Sequence, residues 1–307
     1  MTLSRRIWLA TCLAPVLRGG DDDAEWIAGL GGSVHRDDGG NVIAINLGAT
    51  WINDMEMLDL LAYRKLQRLD LSHSRISDEG LLRLKPASQI EDLNLLYAEQ
   101  ITDLGVSAIR NWRKLKKLNV RGTRIADETM QIAGELRQLE FLDVANTNIT
   151  DNGLENLAPL TGLKHLALGR SRIGESAMGM LGVLSTLESL DLSGPRAGAR
   201  NQRGRAGGPM PEALIAAMAE LKQLRALKLG YSEIDASGLR RLAVLERVEK
   251  LGLECCPRVD DGALKELAAW KSLRYLDVQE TRATEAGIAA LRAARPGIQI
   301  LSGPSNG

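Results

Sequence analysis

The sequence predicts an α/β solenoid: one curved stack of about ten repeats, with parallel strands on the concave side and helices on the convex side. Three observations carry this. A unit reading L-x-x-L-x-L-x-x-(small polar)-x-I-x-D-x-G-L-x-x-L recurs along the chain and is seen most fully at 139–162. The first anchors of the units are Val42, Leu66, Ile90, Leu115, Leu139, Leu163, Leu187, Leu224, Val248 and Leu273, spaced 24 or 25 residues apart except for one interval of 37. Aromatic residues make up only 3% of the 307 residues, as suits a core filled by leucine at fixed intervals. A fixed period of this length marks stacked units that share one continuous core.

Residues 1–23 differ from the rest. Arg5 and Arg6 precede an apolar run from Ile7 to Leu17, and Asp21, Asp22 and Asp23 follow. A charged start before a short apolar stretch has the shape of an export signal. The arginine pair before Trp8 is also similar to a twin-arginine signal. The run is short, Arg18 follows it, and there is no good A-x-A cleavage site. Export to the periplasm or exterior and an uncleaved leader on a cytoplasmic chain both stay open. No run of about 18 apolar residues exists, so no spanning helix is expected.

Residues 24–41 read as an N-terminal cap. Glu25, Trp26, Ile27 and Leu30 suit a short amphipathic helix, which Gly31-Gly32 stops before a turn at Asp38-Gly39-Gly40. An open stack needs such a cover over its first unit. Trp26 is assigned to that packing.

Within the unit at 139–162, Leu139, Leu142 and Val144 belong to a short strand, and Ile149 follows a turn. Thr150-Asp151-Asn152-Gly153 is a helix start, where Thr150 or Asp151 accepts from free backbone N–H groups. Leu154 and Leu157 share a helical face. Pro159 and Gly162 mark the return. Helices are about 10 Å wide and strands about 4.8 Å apart, so the stack bends with its strands inside. The repeat domain spans 42–301, a half-repeat at 296–300 closes it, and 302–307 is a tail. The small polar column runs Thr50, Ser74, Ala98, Thr123, Thr147, Ser171, Pro195, Ser232, Cys256 and Thr281. Its hydroxyls and thiol are expected to bond backbone in the next unit. That makes Cys256 structural.

These units resemble leucine-rich repeat proteins over residues 42–300. Helix starts such as Ile101-Thr102-Asp103-Leu104-Gly105 and Ile149-Thr150-Asp151-Asn152-Gly153-Leu154 are similar to the ribonuclease-inhibitor-like and cysteine-containing subtypes. The longer units, with Tyr97-Ala98-Glu99-Gln100-Ile101 and Cys255-Cys256-Pro257-Arg258-Val259, look most like the latter. The stretch LGGSVHRDDGGNVIAINL is similar to repeat proteins of environmental bacteria such as planctomycetes. The resemblance implies a curved scaffold that binds a protein partner and carries no catalytic residues or cofactor. Relatives of the cysteine-containing type often follow an F-box and select substrates for ubiquitin ligases. Only about 40 residues precede the first repeat here, so a substrate-selecting adaptor of a larger complex is the alternative reading.

Charge and motif content agree with a binding module. Lysine plus arginine equals aspartate plus glutamate at 39 each, which argues against a general nucleic-acid or membrane-surface binder. The cysteines, Cys12, Cys255 and Cys256, are too few for a disulfide framework and lack zinc spacing. His35, His73 and His165 fall in unrelated units, so no metal site is expected. No nucleophile elbow, zinc-protease or phosphate-loop motif is present. An enzyme, a small-molecule substrate and a spanning segment are therefore not expected, and the chain reads as a monomer.

Partner contact is expected on strand residues that alternate with the buried leucines. The middle column runs Asn46, Asp70, Asn94, Asn119, Asp143, Ala167, Asp191, Lys228, Gly252 and Asp277. Tyr97, Arg121, Phe141 and His165 are the candidate anchors, because aromatic and arginine side chains dominate interfaces. The anchors Phe141, His165 and Tyr97 are expected to lie near one another. Arg75, Arg124, Arg172 and Arg282 form a periodic row in the turns, expected to be neutralised by acidic residues at the next helix start. The 37-residue interval holds a Gly/Arg-rich insertion at 194–210 with Arg196, Arg200, Arg203 and Arg205. It reads as a loop overhanging one rim and a second candidate contact.

Overall fold

A computed structural model describes residues 24–173, 177–194 and 210–303. Its strands form one twelve-stranded sheet in simple chain order. Strand β1 (Ser33–Arg36) pairs antiparallel with β2 (Val42–Asn46). Ten parallel strands follow: β3 (Arg68–Asp70), β4 (Asp92–Asn94), β5 (Lys117–Asn119), β6 (Phe141–Asp143), β7 (His165–Ala167), β8 (Ser189–Asp191), β9 (Ala226–Lys228), β10 (Lys250–Gly252), β11 (Tyr275–Asp277) and β12 (Gln299–Leu301). The cap therefore supplies a strand as well as its helix α1 (Glu25–Gly29). Sequence reading missed that strand, because Ser33-Val34-His35-Arg36 shows no leucine pattern. Trp26 Nε1 donates to the Tyr63 hydroxyl at 3.0 Å, and Ile27 is fully buried, so the cap closes the first unit.

One residue column fills the inside of the sheet: Ile45, Leu69, Leu93, Leu118, Leu142, Leu166, Leu190, Leu227, Leu251 and Leu276 are all buried. In the unit at 139–162 all six repeat positions, Leu139, Leu142, Val144, Ile149, Leu154 and Leu157, are at most 2% exposed. Neighbouring units share this core, so no unit folds by itself.

The helical layer alternates α and 3₁₀ geometry. Asp78–Arg83, Asp127–Glu135 and Glu285–Ala294 are α-helices, whereas Glu56–Ala62 and Ala177–Val183 are 3₁₀ throughout. Side chains of Ser77, Thr102, Asp235, Asp260 and Thr284 cap helix N-termini by accepting from backbone N–H groups. Thr150, one of the two residues expected to accept at its helix start, makes no such bond. Its hydroxyl instead donates to Asp127 Oδ2 of the preceding unit at 2.6 Å, and its backbone N–H donates to Asp127 Oδ1 at 2.8 Å. The same two-point clasp joins Asp54 to Ser77, Asp78 to Thr102 and Asp261 to Thr284. The recurring aspartates thus sew each helix start to the next.

The small polar column corrects an expectation. The hydroxyls of Thr50, Ser74, Thr123, Thr147, Ser171 and Thr281 donate to the carbonyl three residues earlier in their own unit, at 2.6–2.7 Å. A short side chain cannot span to the neighbour while its own turn offers a carbonyl this close. Cys256 does bridge units, with its Sγ 3.3 Å from the Leu229 carbonyl and 3.6 Å from Ser232 Oγ. Among the described residues no helix is long and apolar enough to cross a membrane.

Candidate functional site

Seven of the strands end in a tight outward turn built the same way. A middle-column carboxylate or amide oxygen accepts from the N–H two residues on: Asn46 from Gly48, Asp70 from Ser72, Asn94 from Leu96, Asn119 from Arg121, Asp143 from Ala145, Asp191 from Ser193 and Asp277 from Gln279. These are Asx turns. The column read from sequence as partner-facing is therefore largely committed to shaping the backbone.

The next residue in every turn has positive φ. It is glycine at Gly122 and Gly194, but Ala49, His73, Tyr97, Asn146, Arg170, Tyr231, Cys255 and Glu280 hold the same conformation at φ 52–63°. A left-handed conformation costs a side-chain-bearing residue roughly 1–2 kcal/mol. Here the N–H of Tyr97 bonds Arg121 O and that of Tyr231 bonds Glu254 O, both at 2.8 Å. The turn thereby extends the inter-strand ladder, and its side chains line one rim of the strand layer.

Aromatic and arginine side chains gather on this rim. Tyr97 stacks on His73 with ring centroids 5.4 Å apart, and its ring occupies the space that a side chain at Gly122 would need. The Arg170 guanidinium lies 5.9 Å from the Tyr231 ring centroid, and that of Arg75 lies 4.9 Å from the Trp51 ring centroid. Trp51 is 73% exposed, Tyr231 48% and Tyr97 38%.

The predicted anchors do not form one cluster. Phe141 and His165 are neighbours across β6 and β7, with centroids 5.9 Å apart. Tyr97 lies three residues beyond the end of β4, at the opposite end of the strand layer from Phe141, which opens β6. A five-residue offset along the strand separates these positions, and a column model read from sequence had merged them. Tyr97 and Arg121 instead line a groove of about 350 Å³ with Asn146, Arg170, Asp191, Ser193, Lys228, Tyr231 and Glu254. Phe141 lines a separate hollow of about 490 Å³ that runs over the face of the first strands, with His35, Arg68, Asp70, Asp92 and Lys117.

Arg121 is already engaged. Its Nε donates to Asp143 Oδ2 at 2.9 Å, and its Nη2 lies 3.6 Å from Asp191 Oδ2. Burial opposes the Arg121 charge, but the hydrogen bond and charge of Asp143 hold the guanidinium above the usual arginine range. Burial also pushes the Asp143 carboxyl up, against the pull of Arg121. Burial raises Glu254 likewise, with Asp277 and Asp191 adding repulsion.

The row of Arg75, Arg124, Arg172 and Arg282 differs from expectation. None of the four has a carboxylate within ion-pair distance among the described residues, because the helix-start aspartates are turned toward the next unit instead. Arg196, Arg200, Arg203 and Arg205 lie outside the described residues, as does the leader at 1–23. Among the described residues no group of three His, Cys, Asp or Glu converges to hold a metal ion.

Sequence reading missed Arg170, Tyr231, Glu254 and Trp51. Two signals marked them. The middle column loses its Asx residue at Ala167, Lys228 and Gly252, and the column two residues later is glycine at Gly169 and Gly230. Small residues in successive units hollow the surface there. The rim column also holds Gly122, Asn146 and Gly194, residue types that tolerate positive φ.

The leucine-rich repeat family profile matches residues 64–85 and 136–158, two stretches of this stack with two units between them. The stack is a leucine-rich repeat solenoid. Among solved structures it is similar to internalin C2 from Listeria monocytogenes, at 24% identity and TM-score 0.51, over 69% of this chain and 80% of that one. It is also similar to a second internalin, inlF, of the same species, at 15% identity and TM-score 0.55, over 85% of this chain and 82% of that one. At these identities the likeness establishes the repeat fold. No curated protein matches the sequence.

Proposed function

We propose that this leucine-rich repeat protein is a non-catalytic scaffold that binds a protein partner across its strand face and the adjoining left-handed rim. One observation carries the reading: tyrosine, tryptophan and arginine side chains are exposed together on the rim, on backbone held rigid by the inter-unit ladder. Side chains of these types supply most interface energy when they are held ready in place. The Phe141–His165 pair on the strand face is a second contact in the same reading. The Arg/Gly insertion at 194–210 leaves the stack beside the rim, at Gly194, and is proposed to add a basic contact.

Affinity capture from the source organism, repeated with variants, tests this. Tyr97→Ala with Tyr231→Ala is expected to weaken the captured partner by roughly 30-fold or more, the size of one interface hot spot, with circular dichroism unchanged. A partner retained in full by this variant and by Phe141→Ala with His165→Asp would place the contact elsewhere.

A further inference from the structure

We infer that the rim groove selects a partner segment carrying both an acidic and a basic side chain, the acid on Arg170 and the base on Glu254. This rests on the scaffold reading above and specifies the chemistry of its partner.

The inference starts from which charges the groove leaves unmatched. Arg121 is bonded to Asp143, and Lys228 lies 3.9 Å from Asp191. Those cations and carboxylates answer one another. Arg170 is different: it is exposed, its side chain crosses the space over Gly194, and its guanidinium lies over the Tyr231 ring. No carboxylate lies within 4.0 Å of it among the described residues. Glu254 reaches back from the unit after Tyr231, and its carboxylate lies against Gly230. It is half-buried and has no cation within 4.0 Å among the described residues. Its carboxyl is raised by burial and by Asp277 and Asp191, so a cation brought beside it relieves that repulsion.

Arg170 and Glu254 approach Tyr231 from opposite sides, and neither reaches the other. The Cys255 thiol neighbours the Tyr231 hydroxyl. An extended peptide laid along the stack presents alternate side chains on one face, so one of them can meet the guanidinium and another the carboxylate.

The test uses the full chain and fluorescein-labelled octapeptides read by fluorescence anisotropy at low salt. The probes alternate serine with glutamate and lysine in turn, or with glutamate only, lysine only or glutamine only. The mixed peptide is expected to bind at least about 10-fold tighter than the glutamine peptide, and Arg170→Gln and Glu254→Gln each to reduce that advantage about 5-fold or more. Equal binding of the mixed and glutamine peptides would overturn the inference. So would tightest binding of the all-glutamate peptide with no effect of Arg170→Gln, which assigns binding to the arginines at 196–205. A captured protein partner lost on Tyr97→Ala with Tyr231→Ala but indifferent to Arg170→Gln and Glu254→Gln would leave the scaffold standing and sink this specificity alone.

Discussion

At the scale of single residues, the two adjacent cysteines show how position decides chemistry. Cys255 occupies the left-handed rim and is partly exposed, with its thiol against Tyr231. Cys256 is fully buried between Leu229 and Ser232, and burial pushes its thiol up to about 11. Against an ordinary thiol near 9.0 this leaves roughly 100-fold less thiolate at neutral pH. Iodoacetamide treatment of a Cys12→Ser chain, read by mass spectrometry, is expected to label Cys255 and spare Cys256 until denaturant is added. Equal labelling of both in the native chain would refute the buried placement. The structural assignment of Cys256 was legible in sequence from its place in the small polar column. The position of Cys255 was not, because nothing local announces a positive φ at a cysteine.

At the scale of the repeat element, the D-x-G-L helix start is a joint between units. A Cβ at Gly80 would run into Asp54 Oδ1, and one at Gly105 would run into Asp78 Oδ1. The glycine is required because the preceding aspartate sits against it while clasping the next Ser or Thr. Replacing glycine by alanine inside a helix ordinarily stabilises by roughly 0.5–1 kcal/mol. Here the sign reverses: Gly105→Ala is expected to destabilise by about 1–3 kcal/mol, the usual cost of overpacking. Urea denaturation measures it, and an unchanged or raised midpoint would contradict the clasp. The motif was plain in the sequence, and so was its structural character. Its mechanism was not, since the contact runs between residues 23 to 27 positions apart.

At the scale of the whole molecule, stability is a property of the stack and its ends. The cap covers the first unit with Ile27, the Trp26–Tyr63 hydrogen bond and strand β1. Ile27→Ala is expected to cost roughly 2–4 kcal/mol, as in any packed core, although it lies outside the repeats. A loss below about 0.5 kcal/mol in chemical denaturation would show that the cap does not pack as described.

The sequence by itself determined the fold, since a 24-residue period with buried anchors admits one way of covering its apolar faces. It also determined that the recurring aspartates are structural, because recurrence at the period gives each the same neighbours. Only the tertiary structure decided which side chains meet. Tyr97 and Phe141 look alike on a column diagram, yet the turn carries one to the rim and leaves the other on the face. Arg170, Tyr231 and Glu254 come together across three successive intervals of the stack, including the 37-residue one. Their meeting depends on the left-handed turn and on the glycines beneath them, and a linear pattern of apolar residues carries no record of either.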